Sequence, residues 1–207
     1  MSNREVGRNR EVRGLVGEVK AQVAILVFAV GLMWAIEIVD FFLGGALNSF
    51  GIIPRSVMGL RGILFAPFLH GNFAHLIANT VPFVTLGWFM MLRRTSDFFG
   101  VTAIAMLIGG LGTWLIAPAN TVHIGASGVI FGYLGFLISR GYFERSFVSI
   151  LFSVIVGLAY GGLIWGVLPG QLGISWQGHL FGFVGGIVAA WLMADSTAAR
   201  RRSPRGF

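Results

Sequence analysis

The chain has 207 residues, the size of a single domain, and is 56% hydrophobic and only 11% charged, with a mean hydropathy of +0.81. A soluble domain carries about 25% charged residues, so this composition argues against a soluble enzyme, a DNA-binding domain or a disordered chain. The net charge of +7 would suit a nucleic acid, but Arg4, Arg8, Arg10, Arg13 and Lys20 precede the first apolar run and Arg200, Arg201, Arg202 and Arg205 follow the last, as on the flanks of membrane spans beside anionic lipid.

In chain order, residues 1–20 form a polar N-terminal tail without a small-residue cleavage site, so the first apolar segment is expected to stay as a span. Six stretches approach the length of about 20 apolar residues that a membrane helix needs: 21–43, 70–92, 98–116, 124–139, 147–168 and 176–193. The connection 44–69 is apolar and rich in Gly and Pro, and is expected to lie in the membrane interface. Residues 195–207 form a second tail, expected to be disordered. The fold class is therefore all-α, a six-span bundle over residues 21–194 embedded in a lipid bilayer.

Orientation follows from the basic residues. Six spans place 13 of the 15 Lys+Arg on one side, including Arg93, Arg94, Arg140 and Arg145, and leave Arg55 and Arg61 on the other. Both termini are thus expected in the cytoplasm. The fourth span, 124–139, has sixteen residues and reaches about 24 Å against a hydrocarbon core of about 30 Å. Its outer end should sit below the membrane surface, where a polar residue needs water or protein partners.

That end carries polar residues. His70 and His75 open the second span, His123 precedes the fourth, and His179 opens the sixth, so all four histidines share one membrane face with Ser127. Ionisable groups at membrane depth are candidate functional residues. The fourth span begins Gly125-Ala126-Ser127-Gly128, where the glycines expose the hydroxyl and the helix N-terminus offers free N–H groups to an oxyanion. Gly178, Gly182 and Gly186 form a small-residue stripe flanking His179, and Gly128, Gly132 and Gly135 do the same for Ser127. Two such helices could bring a serine to an imidazole, the minimum for an activated nucleophile. His75 and Asn79, four apart, share a helical face, and both can donate to a carbonyl oxygen gaining charge.

On these residues the chain resembles the rhomboid family of intramembrane serine proteases, over about residues 60–194. The resemblance implies Ser127 as nucleophile, His179 as general base and then acid, and no acidic third member. It implies an oxyanion hole of His75, Asn79 and the Ser127 N–H. Arg61 would belong to the interfacial loop, although this chain has Leu60-Arg61 where the family usually shows Trp-Arg. Phe131 stands where relatives often place a Tyr against the imidazole. The implied substrates are other membrane proteins, cut within or beside a transmembrane segment, with no cofactor; a compact bacterial plasma-membrane protein is expected.

Plainer readings stand beside these. Ser127 could be a small residue at a helix crossing, and His75 with Asn79 could be interhelical polar glue. His70 and His123 read as structural. Glu37 and Asp40, near the outer end of the first span, could mark a proton path but fit polar loop contacts better. Trp176 could line the site or anchor at the interface. Four histidines in one layer raise the question of a metal, but HExxH is absent and no carboxylate stands beside any of them. The absence of cysteine removes thiolate sites and cysteine nucleophiles. Two other functions compete: an inactive rhomboid-like protein that binds membrane clients, and a small transporter, which would show polar residues deep in several spans. Oligomeric state is not legible.

Overall fold

A computed structural model of the chain describes residues 3–171 and 173–202, with side chains described for 11–171 and 173–194. Six long helices carry it: α1 (Asn3–Phe42), α2 (Phe73–Met91), α3 (Thr95–Ile116), α4 (Ser127–Glu144), α5 (Phe147–Tyr160) and α6 (Trp176–Arg202). A 3-10 stretch, Gly161–Val167, continues α5. Among the described residues, five segments are long and apolar enough to cross a membrane: Glu11–Phe42, Phe73–Met91, Thr95–Ile116, Phe147–Val167 and Trp176–Ala194. α4 is not among them, because Arg140 and Glu144 fall within it. It is instead the enclosed helix, buried almost without break from Val129 to Leu137 and packed against α2, α3, α5 and α6.

Several helix ends differ from the hydropathy reading, each for a local reason. α1 extends back through the polar stretch to Asn3, and α6 runs on to Arg202, so the segments read as tails are helical that far; residues 203–207 lie outside the described residues. α2 starts at Phe73 because Asn72 caps it, its Oδ1 accepting the His75 N–H at 2.9 Å. His70 therefore belongs to the preceding loop, not to the span. α4 starts at Ser127, so residues 124–126 are loop, and it persists to Glu144. There Glu144 pairs with Arg93, with Arg140 one turn earlier at 3.0 Å, and with the Ser149 hydroxyl at 2.6 Å. This cluster ties the ends of α2, α4 and α5 at one end of the bundle.

The interfacial segment 44–69 is a run of short helical turns, Ala46–Phe50, Met58–Arg61, Gly62–Phe65 and Ala66–Phe68. Arg61 donates to the Ser49 carbonyl at 3.1 Å and lies over the Phe50 ring at 4.2 Å. Asp40, 3% exposed, accepts the Leu47 N–H at 2.7 Å, which is the loop contact expected of it. Ile52 and His123 exchange both backbone hydrogen bonds, at 2.9 and 3.0 Å, fastening this segment to the loop ahead of α4.

The packing of α4 against α6 sets the site. A Cβ added at Gly182 would strike the Gly128 carbonyl oxygen, and one at Gly186 the Gly132 carbonyl oxygen. The two backbones can approach this closely only because both positions are glycine. The stripe read from the sequence is thus an actual seam, and it brings the first turns of α4 and α6 together.

Candidate active site

Ser127 is the first residue of α4, where the helix N–H groups have no partner one turn back. It is delivered by Gly125, whose φ of +115° is a conformation side chains rarely adopt. A Cβ there would also lie 2.7 Å from His75 Cε1 and 2.8 Å from His75 Nε2. Only glycine lets this loop pass so close to α2. The Gly125 N–H donates to the Ala66 carbonyl at 2.8 Å.

The Ser127 hydroxyl lies 2.8 Å from His179 Nε2. The other ring nitrogen, Nδ1, lies 2.9 Å from the Gly166 carbonyl oxygen. A carbonyl can only accept, so Nδ1 carries the proton of the neutral imidazole and Nε2 receives the serine hydroxyl. The tautomer that a general base needs is therefore fixed by a backbone carbonyl rather than by a carboxylate. Phe131 stacks on the imidazole, with centroids 4.1 Å apart and planes at 11°. His179 is buried.

His75 and Asn79 present the other wall. Asn79 is 6% exposed, and its Nδ2 has no hydrogen-bond partner among the described residues. That nitrogen lies 3.7 Å from the position of a Gly125 Cβ. A buried N–H donor without a partner costs free energy, and this one sits ready for an acceptor that arrives with a ligand. His75 Nδ1 faces the Gly71 N–H at 3.5 Å, which leaves its Nε2 as the N–H donor on the Gly125 side. His70 packs edge-on against His75, centroids 5.1 Å apart, and its Nε2 accepts the Ala126 N–H at 3.4 Å. Burial, reinforced by neighbouring His75, pushes His70 down to about 4, so it is neutral and free to accept at neutral pH.

These groups line a cleft of about 790 Å³. Ser127, His179, His75 and Asn79 all border it, so the polar residues read from the sequence as one layer do come together. Trp165 is the tryptophan of its wall; Trp176 is not among the lining residues. His123 borders it as well, held between Thr121 and Ser175.

Gly166 was not singled out by sequence reasoning, because a backbone acceptor leaves no side-chain signature. The available signal was the cluster Gly161-Gly162 and Gly166 inside an apolar run, which marks the end of regular helix. A Cβ at Gly166 would lie 2.9 Å from both His179 Nδ1 and Phe131 Cζ. Gly166→Ala should push the imidazole off its carbonyl and lower the rate of serine acylation by about tenfold, the scale of a small misplacement of reacting groups. Thermal stability should fall little, since the stretch is at the surface of the bundle. Labelling rates of the two purified proteins with a fluorophosphonate check this.

A helical membrane bundle with a serine–imidazole pair at the floor of an open cleft is the class that the fold and the site define. Residues 58–196 match the Rhomboid domain family. The chain is 47% identical over 178 residues to an uncharacterized protein of Mycobacterium tuberculosis (strain ATCC 25618 / H37Rv), covering 82% of this chain and 74% of the relative. It is 41% identical over 198 residues to one of Mycobacterium leprae (strain TN), covering 92% and 76%. It is also 28% identical over 159 residues to "Rhomboid-like protease 5" of Toxoplasma gondii, covering 75% of this chain and 18% of the relative. The chain belongs to the rhomboid family and is an integral membrane protein.

Proposed function

We propose that this protein is an intramembrane serine endopeptidase that cuts transmembrane segments of other membrane proteins near the outer membrane face. The observation that carries the reading is the contact of 2.8 Å between Ser127 Oγ and His179 Nε2, with Nδ1 tied to the Gly166 carbonyl. Ser127 Oγ attacks the scissile carbonyl carbon while its proton passes to His179 Nε2. The carbonyl oxygen becomes an oxyanion and takes hydrogen bonds from the Ser127 N–H, Asn79 Nδ2 and His75 Nε2. The imidazolium then gives its proton to the departing amine, leaving an acyl-enzyme. Water, losing a proton to Nε2, attacks the ester and releases the acid and the free serine. Every proton is carried by His179, and no cofactor enters. Labelling by a fluorophosphonate tests the reading: a protein that stays unlabelled while folded is an inactive client-binding relative or a transporter. The intact Ser127–His179 pair favours the enzyme, and the gathering of polar groups in one layer disfavours a transport path.

In this reading α4 is the fourth of six spans, the central one, shielded from lipid by its neighbours, and both termini lie in the cytoplasm of a bacterial cell. The 13-to-2 division of Lys+Arg supports that orientation. Cysteine introduced in place of exposed Ala119 should react with an impermeant thiol reagent on intact cells, and cysteine in place of exposed Ser96 should not. The chain has no cysteine of its own, so the background is clean. The opposite labelling pattern would invert the topology.

A further inference from the structure

His123 is a half-buried histidine outside the serine–imidazole pair, and its surroundings define the direction of every hydrogen bond it makes. The Thr121 hydroxyl donates to the Pro118 carbonyl at 2.7 Å, which uses its only proton. Toward His123 Nε2, 2.8 Å away, Thr121 Oγ1 can then only accept, so Nε2 carries the ring proton. The neutral ring therefore offers Nδ1 as an acceptor, and Ser175 Oγ, 2.7 Å from it, donates. With its proton committed, Ser175 Oγ still accepts the Gly178 N–H at 3.3 Å, in the first turn of α6. The Ser175 carbonyl accepts the His179 N–H at 3.1 Å. At its other side the His123 backbone is bonded to Ile52 at 2.9 and 3.0 Å. One continuous path thus runs from the interfacial segment through His123 and Ser175 to the backbone of His179.

We propose that His123 is a positioning residue for the base: its Nδ1 orients the Ser175 hydroxyl, which caps the start of α6 and holds His179 at hydrogen-bond distance from Ser127. The proposal rests on the protease reading given above. The consequence follows from the start of α6 being a helix end. N–H groups of a first turn need acceptors, and a serine hydroxyl free to rotate presents its lone pairs to Gly178 only part of the time. Loss of the Nδ1 acceptor loosens the turn that carries His179. Because a small displacement of a reacting group is costly, the loss falls on the chemical step rather than on substrate binding.

Two substitutions separate this role from plain packing. His123→Phe keeps an aromatic ring but has no acceptor. His123→Asn is smaller, yet its Oδ1 stands near the place of Nδ1 and can accept from Ser175. His123→Phe should lower kcat for cleavage of a model transmembrane substrate about tenfold with KM nearly unchanged. His123→Asn should retain kcat within about threefold, the rescue that a volume-based role would not give. Ser175→Ala should match His123→Phe, and the double variant should be no slower than either alone, since both break one path. Fluorophosphonate labelling rates should follow the same order, with melting temperatures measured on the same preparations. Unchanged kcat in His123→Phe, or an additive double variant, would overturn the proposal; so would a loss confined to KM, which would make His123 a substrate contact in the cleft. Failure of the wild-type protein to label at all is a different result, and it removes the protease reading itself.

Discussion

Ser127→Ala should abolish cleavage of a model transmembrane substrate and all fluorophosphonate labelling, while leaving expression and helical content unchanged. The hydroxyl lies 2.8 Å from His179 Nε2 at the first residue of α4. The helix itself does not depend on that oxygen, since Ser127 is followed by the buried run from Val129 to Leu137. His179→Ala should cause a loss of similar size, because a neutral serine is a weak nucleophile without its base. The two losses should not add: once either partner is gone, the other has no proton to give or to take. Loss of a unit of this kind costs on the order of 10⁶ in kcat in serine proteases. Retained cleavage in the alanine variant would remove the assignment of Ser127, whatever the state of His179. Circular dichroism and melting curves on both variants guard against a trivial unfolding explanation.

The sequence displayed the serine–imidazole pair because both members sit on glycine seams. Gly128 and Gly132 on α4 meet Gly182 and Gly186 on α6 at carbonyl contact, and helical spacing alone predicts which side chains such a seam brings together. His75 and Asn79 were legible for a similar reason, being one turn apart on α2. What escaped were the contacts that no motif announces, a backbone carbonyl acceptor and a side-chain bond between two loops. The Gly166 carbonyl that fixes the imidazole tautomer lies 13 positions from His179, and the bond from Ser175 to His123 spans 52. Hydropathy also misplaced helix ends. It places the start of α2 at His70, since a capping Asn72 weighs little in an apolar window, and it ends α4 before Arg140, since two opposite charges one turn apart read as a loop. Polar residues 3–20 read as a tail because a helix rich in Arg and Glu carries no apolar signal of its own.

Asn79→Ala should lower the rate constant for cleavage about 10- to 1000-fold, the range for losing one oxyanion donor. Substrate affinity should change far less, because the donor acts as charge develops on the carbonyl oxygen. The motive is the buried Nδ2 that has no partner among the described residues and points to the loop carrying Ser127. Removing it relieves an unsatisfied donor, so the free protein should be no less stable, and even slightly more. His75→Ala should give a similar or larger loss, as its Nε2 stands beside Gly125, one residue from the Ser127 amide nitrogen's own peptide. Asn79→Asp discriminates further. It keeps the shape but sets an acceptor where the oxyanion forms, so it should be at least as damaging as alanine. If Asn79 is instead polar glue between helices, both substitutions act on folding: melting temperatures fall and activity per folded molecule stays close to wild type. Single-turnover rates and melting curves on one set of preparations separate the two, because an oxyanion donor moves the rate and spares the fold, whereas glue moves the fold and spares the rate.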